Sequence, residues 1–129
     1  MNGIDYLADT NAILYFLSGN NCMKPYKFSS FAFSIISEME LLSYSSITEE
    51  EEKSIRDFLA KCSAISITLS IKNLTIQLRR KYNIKLPDSI IAATAIANNL
   101  PLITADIGFK RISELKLILI QPDLSGMTV

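Results

Sequence analysis

Leu86-Pro87-Asp88-Ser89-Ile90-Ile91-Ala92-Ala93-Thr94-Ala95-Ile96-Ala97-Asn98-Asn99-Leu100-Pro101-Leu102-Ile103-Thr104-Ala105-Asp106 decides the fold class. Asp88 to Asn98 reads as a helix that is apolar almost all round, so it is buried on several sides. Leu102 to Ala105 is then a short apolar strand that closes on Asp106. A buried helix feeding a buried strand is the grammar of a sheet covered by helices. The pattern recurs outward from this segment. Ile4 to Ala8 reads as a strand, Asp9-Thr10-Asn11 as the turn after it, and Ala12 to Leu17 as a helix ended by Ser18-Gly19-Asn20-Asn21. Phe31 to Phe33 and Ser34 to Ser43 read as a second strand and helix. Thr48 and Glu51 form a capping box ahead of the stripe Ile55, Phe58, Leu59, Cys62. Ala64 to Leu69 alternates as a strand, and Ile71 to Tyr82 has helical spacing. Ile107 to Glu114 is a short helix or turn, and Leu117 to Ile120 a last strand. The expectation is an α/β chain with a mainly parallel sheet.

Composition narrows the chemistry. The 129 residues suit one domain, taken as residues 1–121, with 122–129 expected to be a flexible tail. Thirteen basic residues balance thirteen acidic ones, so overall charge names no partner. There is no histidine, which removes Ser-His-Asp and Cys-His catalysis and every His-ligated metal site. The two cysteines, Cys22 and Cys62, are expected to be free thiols. The start lacks a basic, apolar leader, and no uncharged run is long enough to span a membrane, so a cytoplasmic protein is expected.

Four carboxylates stand at or inside apolar segments: Asp9, Glu40, Asp88 and Asp106. Asp9 and Asp106 end strands, where ligands bind in parallel sheets; both positions also suit a helix cap. Asp88 sits at the positive start of its helix, which is a structural reason of its own. Glu40 falls by helical phase between Phe33 and Ile36, toward the core, whereas Glu38 falls on the side of Ser34. A salt bridge is the alternative for Glu40. Buried carboxylates need a partner, and a hard divalent cation is one that several can share. Oxygen-only ligation points to Mg²⁺ or Mn²⁺.

The ordered segments Leu7 to Asn11, Ser34 to Leu42, Leu86 to Ala95 and Leu102 to Phe109 resemble PIN-domain ribonucleases, and among them the VapC toxins of bacterial toxin–antitoxin pairs. The resemblance runs from about residue 4 to residue 120. It implies a three-layer α/β/α fold and Mg²⁺- or Mn²⁺-dependent cleavage of RNA. It also implies silencing by a small antitoxin, and a homodimer. Asp9, Glu40, Asp88 and Asp106 match the family's acidic positions, with Thr10, Asn11 and Thr104 in support. Many relatives carry a further acid where this chain has Gly108, which bears on a second ion. Arg79, Arg80, Lys81, Lys85, Lys110 and Arg111 are candidates for the RNA backbone, or else solvated helix faces. A haloacid-dehalogenase phosphatase wants an acid at the position of Asn11, and a phosphoacceptor receiver wants an acidic pair after the first strand. A catalytically inactive binding module is the other alternative.

Overall fold

The computed structural model describes residues 3–124. Among the described residues, five strands form one sheet: β1 (Tyr6–Ala8), β2 (Phe31–Ser34), β3 (Ser63–Ile65), β4 (Leu102–Thr104) and β5 (Leu117–Leu119). The order is β3-β2-β1-β4-β5, and every pairing is parallel. Five longer helices surround it: α1 (Thr10–Leu17), α2 (Ile35–Leu42), α3 (Glu49–Ala60), α4 (Leu69–Tyr82) and α5 (Leu86–Ala97). Two 3-10 turns, Asn21–Tyr26 and Ile107–Arg111, complete the elements.

Period-two alternation divides the sheet between two cores. Leu7 and Leu102 point to one face, where they meet Ile71 and Leu78 of α4 and Ile91, Ala92 and Ala95 of α5. Ala8 and Ile103 point to the other, with Ala12 and Ile13 of α1 and Ile55 and Leu59 of α3. The result is the three-layer α/β/α sandwich. The alanines of α5 explain how it sits so deep, since Ala92, Ala93 and Ala95 are fully buried and leave room for α4. Its Leu86-Pro87 start is also part of the helix, because proline fits the first turn without losing a bond.

The main departure from the sequence reading lies at β3. The alternation of Ile65, Ile67 and Leu69 predicts a strand to residue 69, but the strand stops at Ile65. Thr68 instead caps α4, its hydroxyl accepting the Ile71 N–H at 3.2 Å. Ile67 and Leu69 are exposed. A local cap overrides an alternation that no neighbouring strand supports on the outer edge. The capping box forms as expected, with Glu51 N–H donating to Thr48 Oγ1 at 3.0 Å and Thr48 N–H to Glu51 Oε1 at 3.1 Å. Cys22 and Cys62 are free. After β5, Asp123 N–H donates to Asn20 Oδ1 at 3.0 Å. Residues 125–129 of the expected tail lie outside the described residues. Among the described residues, no helix is long and apolar enough to cross a membrane.

The close approach of α4 and α5 yields a test. Ala93→Leu adds volume at a site with no exposure and should cost about 1–3 kcal/mol. Ala97→Leu, on the exposed end of the same helix, should stay within about 0.5 kcal/mol. Urea midpoints for the two variants decide it; equal midpoints would show that the helix is not packed as described.

Candidate active site

The strand order reverses between β1 and β4, since β2 and β3 lie to one side and β5 to the other. In open α/β sheets this switch opens a crevice at the carboxyl ends of the two strands. Asp9 follows β1 and Asp106 follows β4, so the fold itself carries both acids to that crevice.

Asp9 is only 4% exposed. It is also the cap of α1, with Oδ1 accepting the Ala12 N–H at 2.8 Å. The capping role and the crevice role are therefore compatible, and the sequence-level choice between them falls away. Its Oδ2 accepts the hydroxyl proton of Thr104 from the adjacent strand. The same Thr104 oxygen accepts the Asp106 N–H at 3.0 Å, so one buried hydroxyl joins both acids. Asp106 is exposed and caps the following 3-10 turn, its Oδ1 accepting Gly108 N–H at 2.8 Å. A Cβ at position 108 would stand 3.1 Å from that oxygen, so a side chain there would require the Asp106 carboxylate to shift by a few tenths of an ångström.

Asp88, half-buried, lies in the first turn of α5. Glu40 completes the group from α2, but not as helical phase predicts. Glu40 is exposed, and Glu38 is the more covered of the two. The helix is only two turns long and sits at the rim of the sheet, so the side carrying Glu40 faces the crevice mouth rather than the core. Glu38 instead borders a hollow with Phe33, Arg56 and Leu59. Glu40 is nonetheless fixed: Thr10 Oγ1 donates to its Oε1 at 2.7 Å. Thr10 Oγ1 also lies 3.0 Å from Oγ of Ser37, which is fully buried. The sequence reading does not single out Ser37. Its spacing of three before Glu40, one helical turn, was the available signal. Asn11 is exposed on α1.

Electrostatics ties the acids together. Burial pushes the Asp9 carboxyl up to about 6, against the bonds from Thr104 and Ala12, with further upward pressure from Asp106 and Asp88. Burial also raises Asp88, followed by the charges of Asp106 and Glu40, while Lys85 pulls it down. Among the described residues no lysine or arginine forms an ion pair with any of the four. As the side chains stand, no group of three or more acids or thiols among the described residues is close enough to hold an ion. The four acids therefore suit a hard divalent cation by donor chemistry and unbalanced charge, rather than as a preformed cage.

The basic candidates divide. Lys85 sits beside Asp88, and Lys110 and Arg111 end the turn that starts after Asp106. Lys81 is paired with Glu114 at 3.2 Å, and Arg79 Nε donates to the Ile84 carbonyl at 3.2 Å. Arg80 is exposed on α4.

The family model described as the PIN domain matches residues 6–115. Among solved structures, VapBC2 from Rickettsia felis, bound to a DNA fragment from their promoter, matches with TM-score 0.78 and 27% identity. That match covers 92% of this chain and 100% of the other. A toxin–antitoxin complex from Klebsiella pneumoniae matches with TM-score 0.76 and 30% identity, covering 88% and 96%. VapBC-1 from nontypeable Haemophilus influenzae has TM-score 0.78 at 21% identity, covering 90% and 98%, a likeness of fold alone. Comparison with curated protein sequences gives no match.

The buried carboxylate makes stability depend on pH. Asp9 has an ordinary value of 3.8 and a folded one of about 6, so between them the folded state holds the extra proton. Stability is then highest below about pH 4 for this group and falls as pH rises to about 6, by about 3 kcal/mol in all. Asp9→Asn should flatten that descent and be the more stable chain near neutrality in chelator. Urea titrations of both proteins between about pH 4 and pH 7 test it. Parallel stability curves would contradict the buried placement of Asp9.

Proposed function

Because this chain belongs to the PIN-domain family and is of the VapC type, we propose that it is a metal-dependent endoribonuclease, the toxin of a toxin–antitoxin pair. The observation that carries the reading is Asp9 at the β1/β4 crevice, its carboxyl raised first by burial and further by the neighbouring charges of Asp106 and Asp88. Carboxylates that repel one another without a balancing cation bind a divalent ion well.

Asp9, Asp88 and Asp106 would hold Mg²⁺ or Mn²⁺, with Glu40 at the rim of the same site. Such an ion, when bound, would supply a water of lowered pKa and offset the negative charge of the phosphate. The chain's own residues set the geometry. Thr104 anchors Asp9 and the backbone of Asp106 at once, so both acids keep one relation to the sheet. Thr10 holds Glu40 toward the mouth, where it can accept a proton from water or orient it. Lys85, Lys110 and Arg111 flank the acids and would grip the RNA phosphates.

A partner is supported by a groove on the far side of α1. Two adjoining hollows share Phe16 and Lys27, have a floor of Met23, Phe31 and Phe58, and carry Lys24 and Lys61 on the rim. Apolar floor and basic rim suit an amphipathic, acidic segment of an antitoxin. A homodimer is supported by Leu69 and Ile76, exposed on α4, and Leu86, exposed at the start of α5. Light scattering at micromolar concentration should give twice the monomer mass, and a larger complex once antitoxin is added. A monomer throughout rejects the dimer.

The site is tested by substitution and by metal. Asp9→Asn should abolish RNA cleavage without altering the circular dichroism. Glu40→Gln should lower cleavage at least about tenfold, and Glu38→Gln should leave it near the parent. Mg²⁺ or Mn²⁺ should raise the melting temperature, by about 2.7 kcal/mol of stabilisation at a hundredfold excess over the dissociation constant, and Asp9→Asn should shrink the gain. Monovalent salt of equal ionic strength is the control for screening. Equal shifts in the two salts would remove the physical basis of the metal site.

A further inference from the structure

We infer that a hollow beside the acids, between α1, the α2–α3 loop and α3, receives an unstacked base of the RNA and favours guanine. The inference rests on the ribonuclease reading and adds to it a rule of sequence preference.

The hollow has a volume of about 270 Å³ and is lined by Leu14, Tyr44, Ser46, Ile47, Glu51 and Ile55. Its place follows from helix geometry. Thr10 of α1 touches Glu40 of α2. Leu14 lies four residues after Thr10 on α1, about one helical turn or 5.4 Å from that contact, and Tyr44 lines the same hollow just past Ser43, the residue that caps α2. A base can reach that far from its own phosphate.

The lining has the features that read single-stranded RNA. Tyr44 is 55% exposed and offers a ring for stacking. Leu14, Ile47 and Ile55 give an apolar wall. Three side-chain polar atoms of the lining have no hydrogen-bond partner among the described residues, the Tyr44 hydroxyl and two more. Glu51 Oε1 accepts the Thr48 N–H, but Oε2 has no hydrogen-bond partner, and neither has Ser46 Oγ. A carboxylate only accepts, so the entering base must present N–H groups. Guanine presents two neighbouring donors on its pairing edge. Adenine and cytosine present one amino group. Uracil presents a single N–H between two carbonyl oxygens, which a carboxylate repels. The order expected is guanine first, then adenine or cytosine, with uracil last.

The test uses short uridine oligoribonucleotides carrying one variable base. Fluorescence anisotropy on the Asp9→Asn chain reads binding without cleavage, and product mapping on the parent reads the cut site. The guanine oligonucleotide should bind about tenfold more tightly than the all-uridine one, and the parent should cut next to guanine. Tyr44→Ala should lose about tenfold in affinity, and Tyr44→Phe should restore it. Glu51→Gln keeps a residue suited to the capping box, so the melting temperature should hold while the preference for guanine over uracil collapses. Equal affinity for all four bases, or unchanged binding in Tyr44→Ala, overturns the inference. So does a result in which these variants weaken only the antitoxin's hold, since the hollow then belongs to the protein partner. If the oligonucleotides bind with the guanine preference but the parent cleaves no RNA with Mn²⁺, the base site stands and the ribonuclease reading fails.

Discussion

The structure turns on one carboxylate at the end of its central strand. Asp9 sits almost as deep as Leu7 two residues before it. Each of its oxygens is claimed, one by the start of α1 and one by Thr104 on the neighbouring strand. Those two bonds join the first strand, the first helix and the fourth strand at one atom group. An ionised group buried so far is costly unless paired, and hydrogen bonds offset only part of that cost. The remainder appears as a raised proton affinity. The fold therefore keeps a destabilising feature at the point where its topology reverses, a pattern characteristic of sites that bind rather than of sites that merely hold a chain together.

Everything else near the crevice serves placement. Thr104 and Thr10 have parallel tasks, each tying down one acid, but in different settings. Thr104 is buried in the sheet and serves two acids at once. Thr10 works at the rim, with Ser37 beneath it. The deep pair is rigid and the rim pair is open to solvent, so the acids differ in freedom as well as in charge.

Much of this was legible in the sequence because several signals agreed at the same positions. For α5, apolar content on all sides, small residues and Leu-Pro ahead of Asp88 all point to one buried helix. At Thr48 and Glu51 the capping box is a local device that needs no tertiary context. At two places a single period points the wrong way. Alternation through Ile67 and Leu69 suggested a strand, although Thr68 between them was a cap in plain view. Helical phase directs Glu40 toward the core, but phase gives a direction only relative to the helix, and α2 stands at the rim of the sheet. The four acids stand out in the sequence because each member breaks an apolar run. Ser37 and the Tyr44–Glu51 hollow do not, because small polar residues at helix and loop positions carry no comparable contrast.

The bond between Thr104 and Asp9 has a consequence for the order of synthesis. Its two residues are 95 positions apart. A ribosome adding about 5–20 residues per second needs about 5–20 seconds to supply the second after the first. Until then β1 lacks its neighbour β4, and Asp9 has no deep pocket to occupy. The crevice is thus among the last parts of the molecule to exist, and a nascent chain, however long its amino-terminal half has been outside, carries its acids unassembled. On the proposed ribonuclease reading, the chain would stay harmless to the message and ribosome producing it until the last strands have been made.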